Sequence, residues 1–314
     1  MNAIETHHLT KRYNGLTAVD DLSLTVPQGA LFGFIGPNGA GKTTTLRMLA
    51  GLLEPTSGEI ILAGEPITRN PGAARWVVGY MPDFFGVYED MKVWEYLDFF
   101  ARCYGLPDAR RRSVVEELLH LVDLDEKREA FVESLSRGMR QRLCLAHALV
   151  HDPRILLLDE PASGLDPRAR VEMRELLREL GRMGKTIVIS SHILSELAEM
   201  SDAIGIIERG KLLAAGPVAE VVAAARSGKL LRIELLTSDA ETLAGARGAL
   251  GDVPGVVEVF DVAGGLEVAF SGDEAATAGL LRHLVEHGVP VLHFGEATSN
   301  LEDVFLQITK GEVQ

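Results

Sequence analysis

At 314 residues the chain exceeds one average domain and fits a large one with a smaller companion. A hydrophobic share of 46% supplies real cores and excludes wholesale disorder, yet no apolar run reaches the roughly 18–20 residues of a membrane-spanning helix. The formal charge of −14 is uneven: residues 221–314 carry 6 Lys/Arg against 14 Asp/Glu, an acidic tail that repels phosphate backbones, so no nucleic-acid partner is expected.

In chain order, the opening MNAIETHHLTKRY has no apolar signal-peptide core. The first sixty residues read as short strands: IETHHLTKRY, AVDDLSLTV, LFGFI and GEIILAG, with turn chemistry at Val26-Pro27-Gln28-Gly29. LFGFI enters a Gly-rich loop and then TTTLRMLAGLL, spaced as a helix. From about Asp83 to Val150 the pattern is mainly helical, in KVWEYLDFFARCYG, RRRSVVEELLHLV and RGMRQRLCLAHALV. Trp94, Leu97 and Phe100–Ala101 are spaced as a core face, and Arg110–Arg112 reads as a solvated helix start. ILLLDE and TIVISS read as buried parallel strands separated by the helix PRARVEMRELLREL. IGIIERGKLLAAG reads as a hairpin turning at Arg209-Gly210. Past a linker at AAARSGK, strand, helix, two strands, helix and strand give the βαββαβ order of a ferredoxin-like unit, closed by a helix at NLEDVFLQIT. Cys103 and Cys144 match no metal or redox spacing and read as thiols of a reducing compartment. His283 and His287 stand four apart with His293 nearby, but no Cys or Glu-x-x-His pattern accompanies them.

Two motifs carry chemistry. GPNGAGKT, comprising Gly36, Pro37, Asn38, Gly39, Ala40, Gly41, Lys42 and Thr43, matches G-x-x-x-x-G-K-[ST] between a strand and a helix. Its glycines let the backbone wrap a phosphate with successive N–H groups, and the helix N-terminus adds partial positive charge. Lys42 can reach the β- and γ-phosphates of a nucleotide, Thr43 can ligate Mg²⁺, and Thr44 is counted with them among the nucleotide-binding residues. The second motif is ILLLDEP, an apolar strand that delivers Asp159 and Glu160 to the carboxyl edge of a parallel sheet, where such folds bind ligands. Asp159 suits the Mg²⁺ shell, through a water. Glu160 suits the attacking water, as general base or as orienting acceptor.

With LSRGMRQRLCLAHAL, starting at Leu135 some twenty residues before Asp159, the first 220 or so residues resemble the ATP-binding subunits of ABC transporters. The resemblance implies an α/β fold of the P-loop NTPase type: a parallel α/β core, an antiparallel β layer and a helical subdomain over about 83–150. It places the nucleotide-binding domain at 1–222 and a small ferredoxin-like α+β domain at 228–314, similar to the accessory domain of drug and antibiotic exporter ATPases. Two copies are expected to close head-to-tail on ATP and Mg²⁺, with Ser136 and Gly138 of one reaching the γ-phosphate held by Lys42, Thr43 and Glu160 of the other. The family pattern has Gly and Gln where this chain has Arg137 and Met139. SGLD, Ser163 to Asp166, resembles the loop coupling the two sites, His192 the γ-phosphate switch, and Tyr13 the aromatic that stacks on adenine. Asp83 stands where the family usually has Gln, as a third candidate metal ligand. Phe84, Phe85 and Tyr88 fall where the family receives a helix of its membrane partner. The expected protein is therefore a cytoplasmic ATPase, held on the inner face of the membrane by a separate multi-span permease for export of a drug, lipid or other small molecule. The rival is an ABC-type ATPase acting on ribosomes or DNA, against which the acidic tail and the absence of a second ATPase half, a long coiled coil or a zinc module all count.

Overall fold

The structure is a computed structural model that describes residues 1–84, 86, 88, 90–225, 229–251 and 253–296. Phe85, part of the linker, and the expected closing helix lie outside the described residues. The chain divides into two compact units between Val218 and Ala219.

In the first unit, long strands β1 (Asn2–Tyr13) and β2 (Leu16–Pro27) pair antiparallel, with β4 (Ser57–Leu62) and the two-residue β5 (Glu65–Pro66) beyond β1. A six-stranded sheet follows the order β10-β9-β3-β8-β7-β6. Its members are β3 (Leu31–Ile35), β6 (Val78–Met81), β7 (Ile155–Asp159), β8 (Thr186–Ser191), β9 (Ala203–Glu208) and β10 (Lys211–Pro217). All of its pairings are parallel except the β9–β10 hairpin, which turns at Arg209-Gly210. Every residue of β3, β7 and β8 is buried, as central parallel strands covered on both faces must be. Helix α1 (Lys42–Leu49) seats Leu46, Met48 and Leu49 in a core that joins Ile4, Leu9 and Val19 of the antiparallel layer to Phe32, Phe34 and Leu157 of the parallel one.

Between β6 and β7 stand three helices, α3 (Val93–Cys103), α4 (Asp108–Leu121) and α5 (Arg137–Leu149), after the single-turn α2 (Ala74–Val77). α3 buries Val93, Tyr96, Leu97 and Ala101 along one stripe. Trp94 departs from the core face expected of it: it is half-buried, with the Arg128 guanidinium 5.1 Å over its ring. The arginine run is less solvated than its charge implies, because Arg111 bonds Asp98 at 2.8 Å and Asp108 at 2.5 Å. Between β7 and β9 lie α6 (Pro167–Arg182) and the short α7 (Leu194–Ala198), and α8 (Val218–Ala225) follows β10. α6 begins where Asp166 accepts from the backbone N–H of Arg168 and Ala169, both at 3.0 Å, with Pro167 in the first helical position.

In the second unit β11 (Lys229–Leu235), β12 (Val256–Val262), β13 (Gly265–Phe270) and β14 (Val291–Glu296) form an antiparallel sheet in the order β12-β13-β11-β14. Helices α9 (Ala240–Leu250) and α10 (Glu274–Glu286) complete the βαββαβ sequence, and their Leu250, Leu280 and Leu284 cover Leu231, Ile233, Val268 and Phe270. The α10 histidines point at carbonyl oxygens: His283 Nε2 is 2.9 Å from Ala249 O, and His287 Nδ1 is 2.8 Å from His283 O. Among the described residues no cluster of His, Cys, Asp and Glu could hold a metal ion.

Candidate nucleotide site

The loop between β3 and α1 wraps tightly because its glycines take positions no other residue fits. A Cβ on Gly36 would lie 2.3 Å from Ile207 O, and Gly41, at φ +106°, would place one 2.5 Å from Ala18 O. The resulting cleft, of about 500 Å³, is lined by Pro37 through Thr44 together with Tyr13, Leu16, Ala18, Asp83, Glu160, Ser163 and His192. Tyr13, at the end of β1, is 43% exposed, and the Lys11 ammonium lies 5.2 Å from its ring centre.

Lys42 is buried, and its Nζ donates to Gly36 O at 2.6 Å and Pro37 O at 3.2 Å while lying 3.5 Å from Glu160 Oε1. Burial pulls its pKa below the usual lysine value, and the opposing carboxylates of Glu160, Asp159 and Asp83 offset part of that. Asp159, at the end of β7, is buried; its Oδ1 accepts from Ser190 Oγ at 2.6 Å and its Oδ2 has no partner. Glu160 leaves the strand at φ +50°, a conformation strained for a non-glycine residue, with its backbone N–H shared by Ser190 O at 3.2 Å and Ser190 Oγ at 3.1 Å. Its Oε2 meets His192 Nδ1 at 3.0 Å, so the imidazole donates there and leaves Nε2 to face the cleft or solvent. Asp83 sits in the bend after β6, exposed on the cleft wall.

Ser136 and Gly138 are elsewhere. Ser136 caps α5, accepting from Met139 N at 3.3 Å, and with Arg137, Gly138, Asp166 and Arg168 it lines a second cleft of about 370 Å³. The two clefts have no lining residue in common. Two residues that sequence reasoning passed over hold this architecture together: Ser190, which orients both Asp159 and Glu160, and the buried Gln141 of α5, whose Nε2 donates to Ser163 O at 3.1 Å. Ser190 lies inside the strand TIVISS and Gln141 inside LSRGMRQRLCLAHAL, and in neither run does spacing alone mark the residue that bonds across to another element.

The model of the family described as ABC transporter matches residues 19–163. A second, for the C-terminal domain of DrrA1-3-like ATP-binding proteins, matches residues 216–309. A Nod factor export ATP-binding protein I of Ralstonia nicotianae is 38% identical over 307 residues, covering 98% of this chain and 93% of its own length. Its namesake in Paraburkholderia xenovorans is 38% identical over 312 residues, covering 99% and 98%. The chain belongs to the ABC transporter ATP-binding proteins. Among solved structures, an ATP-binding subunit of an ABC transporter superposes with a TM-score of 0.64 at 30% identity, covering 71% of this chain and 92% of its own. The cbiO1 protein of Clostridium perfringens, part of the ABC transporter complex cbiONQ, gives 0.64 at 27%, covering 71% and 91%. This ABC subunit therefore binds and hydrolyses ATP in the service of transport, and its relatives are transporter subunits rather than ribosomal or DNA-acting ATPases. Membership implies a separate membrane component, and among the described residues no helix is long and apolar enough to cross a membrane.

Proposed function

We propose that this subunit powers the export of a small molecule through a separate multi-span permease, by closing head-to-tail with a second copy around two ATP molecules. The convergence of Lys42, Glu160 and His192 on one cleft carries the hydrolytic reading: an ammonium 3.5 Å from a carboxylate that is itself 3.0 Å from an imidazole. In this reading the loop N–H groups and Lys42 hold the β- and γ-phosphates, Tyr13 lies under adenine, and Glu160 orients and polarises the attacking water. His192 holds the Glu160 carboxylate by one ring nitrogen and is free to contact the γ-phosphate by the other. The donor set fits Mg²⁺, since Asp159 is a buried carboxylate with one oxygen unpartnered, near enough to Lys42 to act on its charge, and the Thr43 hydroxyl follows Lys42 at the start of α1. Thr43 and Asp159, with Asp83 at the wall, would hold it. Bound there, Mg²⁺ neutralises phosphate charge.

The separate linings of the two clefts within one protomer support the dimer: Ser136 and Gly138 do not line their own nucleotide cleft and in this reading serve a partner's. The relatives' name supports export, and in this reading the permease selects the cargo. Phe84 is 90% exposed, and Tyr88, 55% exposed, meets Phe99 edge-on at 5.6 Å. This apolar surface on the helical region is the proposed contact with the membrane partner. The assembly would then sit on the inner face of the membrane, with the second unit as an accessory domain. Pull-down of tagged Glu160→Gln from detergent-solubilised host membranes with Mg²⁺-ATP tests this. Recovery of a multi-span protein lacking ATPase motifs supports the reading; recovery of ribosomal or DNA-bound proteins alone overturns it.

A further inference from the structure

One chain of contacts runs from the second cleft to the catalytic carboxylate of the same protomer. α5 presents Arg137, Gly138 and Gln141 on one face, and all three bear on the loop from Ser163 to Asp166 and the start of α6. The Arg137 guanidinium lies against Gly164, where a Cβ would be 2.4 Å from Cζ, and a Cβ on Gly138 would lie 3.2 Å from Ala169 Cβ, so the helix end and the loop are in direct contact. Gln141 is 3% exposed and spends its amide on the loop, donating to Ser163 O at 3.1 Å. Ser163 N in turn donates to Glu160 O at 3.0 Å, and the Glu160 side chain meets His192 at 3.0 Å and Lys42 at 3.5 Å. Glu160 is strained at φ +50°, so a small displacement of its carbonyl changes where its side chain points.

We propose that Gln141 is a positioning residue that carries the state of the Ser136–Gly138 turn to Glu160 within its own protomer, making each site's hydrolysis depend on the ATP bound by the other. The proposal rests on the head-to-tail reading above. When Ser136 and Gly138 engage a partner's ATP, α5 is drawn toward it, Gln141 moves Ser163, and Glu160 is brought to its working position. The helix spends a buried polar side chain here. Gln141 Oε1 is buried with no partner, an arrangement that an apolar residue of the same shape would avoid. The link acts on the hydrolytic step and not on ATP binding, so it couples turnover at the two sites through two copies of one contact.

The test uses the purified full chain and two backgrounds. In Glu160→Gln, ATP-driven dimerisation is followed by size and light scattering, with and without Gln141→Met. In the active chain, Gln141→Met and the isosteric Gln141→Glu are assayed for ATP affinity, kcat, KM and Hill coefficient. Methionine matches the glutamine in length and removes the orphaned oxygen, so the fold should be kept. The expected result is unchanged ATP affinity and dimerisation, a kcat lower by about tenfold in both variants, and a Hill coefficient falling from about 2 toward 1. If Glu160→Gln itself fails to dimerise with ATP, the head-to-tail reading falls and takes the relay with it. If it dimerises while both Gln141 variants keep wild-type kcat and cooperativity, the relay alone is wrong. Loss of dimerisation or ATP affinity in step with kcat would make Gln141 a packing residue and also overturn the proposal.

Discussion

Lowering the pH should loosen the attachment of α5, and one side chain sets how much. His147 on α5 stacks on Phe100 at 3.7 Å between ring centres and meets the buried Tyr96 edge-on at 5.8 Å, so it fastens α5 to α3. Burial, with His151 nearby, pushes its pKa down from 6.5 to about 4. The unfolded chain therefore takes up this proton near pH 6.5 and the folded chain only near 4. Between those values the unfolded state holds more protons, so stability falls as the pH drops and levels off below about 4. From pH 7.5 to pH 4.5 the loss due to His147 alone is about 2–3 kcal/mol. Carboxylates titrate in the same range, so the quantity to measure is a difference. His147→Phe keeps an aromatic ring against Phe100 and removes the proton. Urea unfolding of wild type and His147→Phe at both pH values, followed by a probe on the helical region, should show the variant losing about 2–3 kcal/mol less than wild type. A difference below about 1 kcal/mol would show that water reaches the ring and that the stack is not the fastening described.

Glu160→Gln should keep nucleotide affinity within a few-fold and cut turnover by about 10²–10⁴, since it leaves the Ser190 contacts to the backbone N–H in place and removes only the basic oxygen; filter binding and steady-state phosphate release separate the two. Ser190→Ala removes the hydroxyl that Asp159 and the Glu160 N–H both use, so it should lower turnover at least tenfold without touching any residue of the phosphate loop. A wild-type rate in Ser190→Ala would show that strand geometry alone fixes the two carboxylates.

The phosphate loop and the Asp159-Glu160 strand end were legible because each is a contiguous run whose chemistry depends on local backbone: a turn that admits only glycine, and a strand buried on both faces. The βαββαβ unit was legible for a similar reason, its periods switching cleanly between strand and helix. What escaped is what tertiary packing decides. β6 is four residues long and is defined by its pairing with β7, far along the chain, so VGYM gave no signal of its own. The Gln141 bond joins residues 22 apart, and Ser190 acts on Asp159 from a neighbouring strand. Trp94 falls on a helical core stripe by spacing, yet it is only half-buried, with an arginine from beyond α4 over its ring.

Asp83 raises a question of charge that can be settled without turnover. Asp83 and Glu160 line the nucleotide cleft and Asp159 lies buried behind it, so three carboxylates face one buried ammonium, Lys42. An ATP triphosphate entering alone adds further negative charge beside them. Two like charges some 4 Å apart cost about 4 kcal/mol at the effective dielectric of a protein surface, and about 1 kcal/mol where water intervenes. Asp83 is exposed, so its share belongs near the lower figure. The cleft should therefore take ATP poorly when divalent cations are chelated, and Asp83→Gln should relieve about 1 kcal/mol of that, a roughly fivefold gain in metal-free affinity. With Mg²⁺ present the gain should vanish or reverse, since the lost carboxylate is then a lost partner for the cation. Equilibrium binding of ATP in EDTA and in Mg²⁺, for wild type and Asp83→Gln, measures both arms. Equal metal-free affinities would mean that Asp83 points its charge into solvent and does not help set the cation requirement of the cleft.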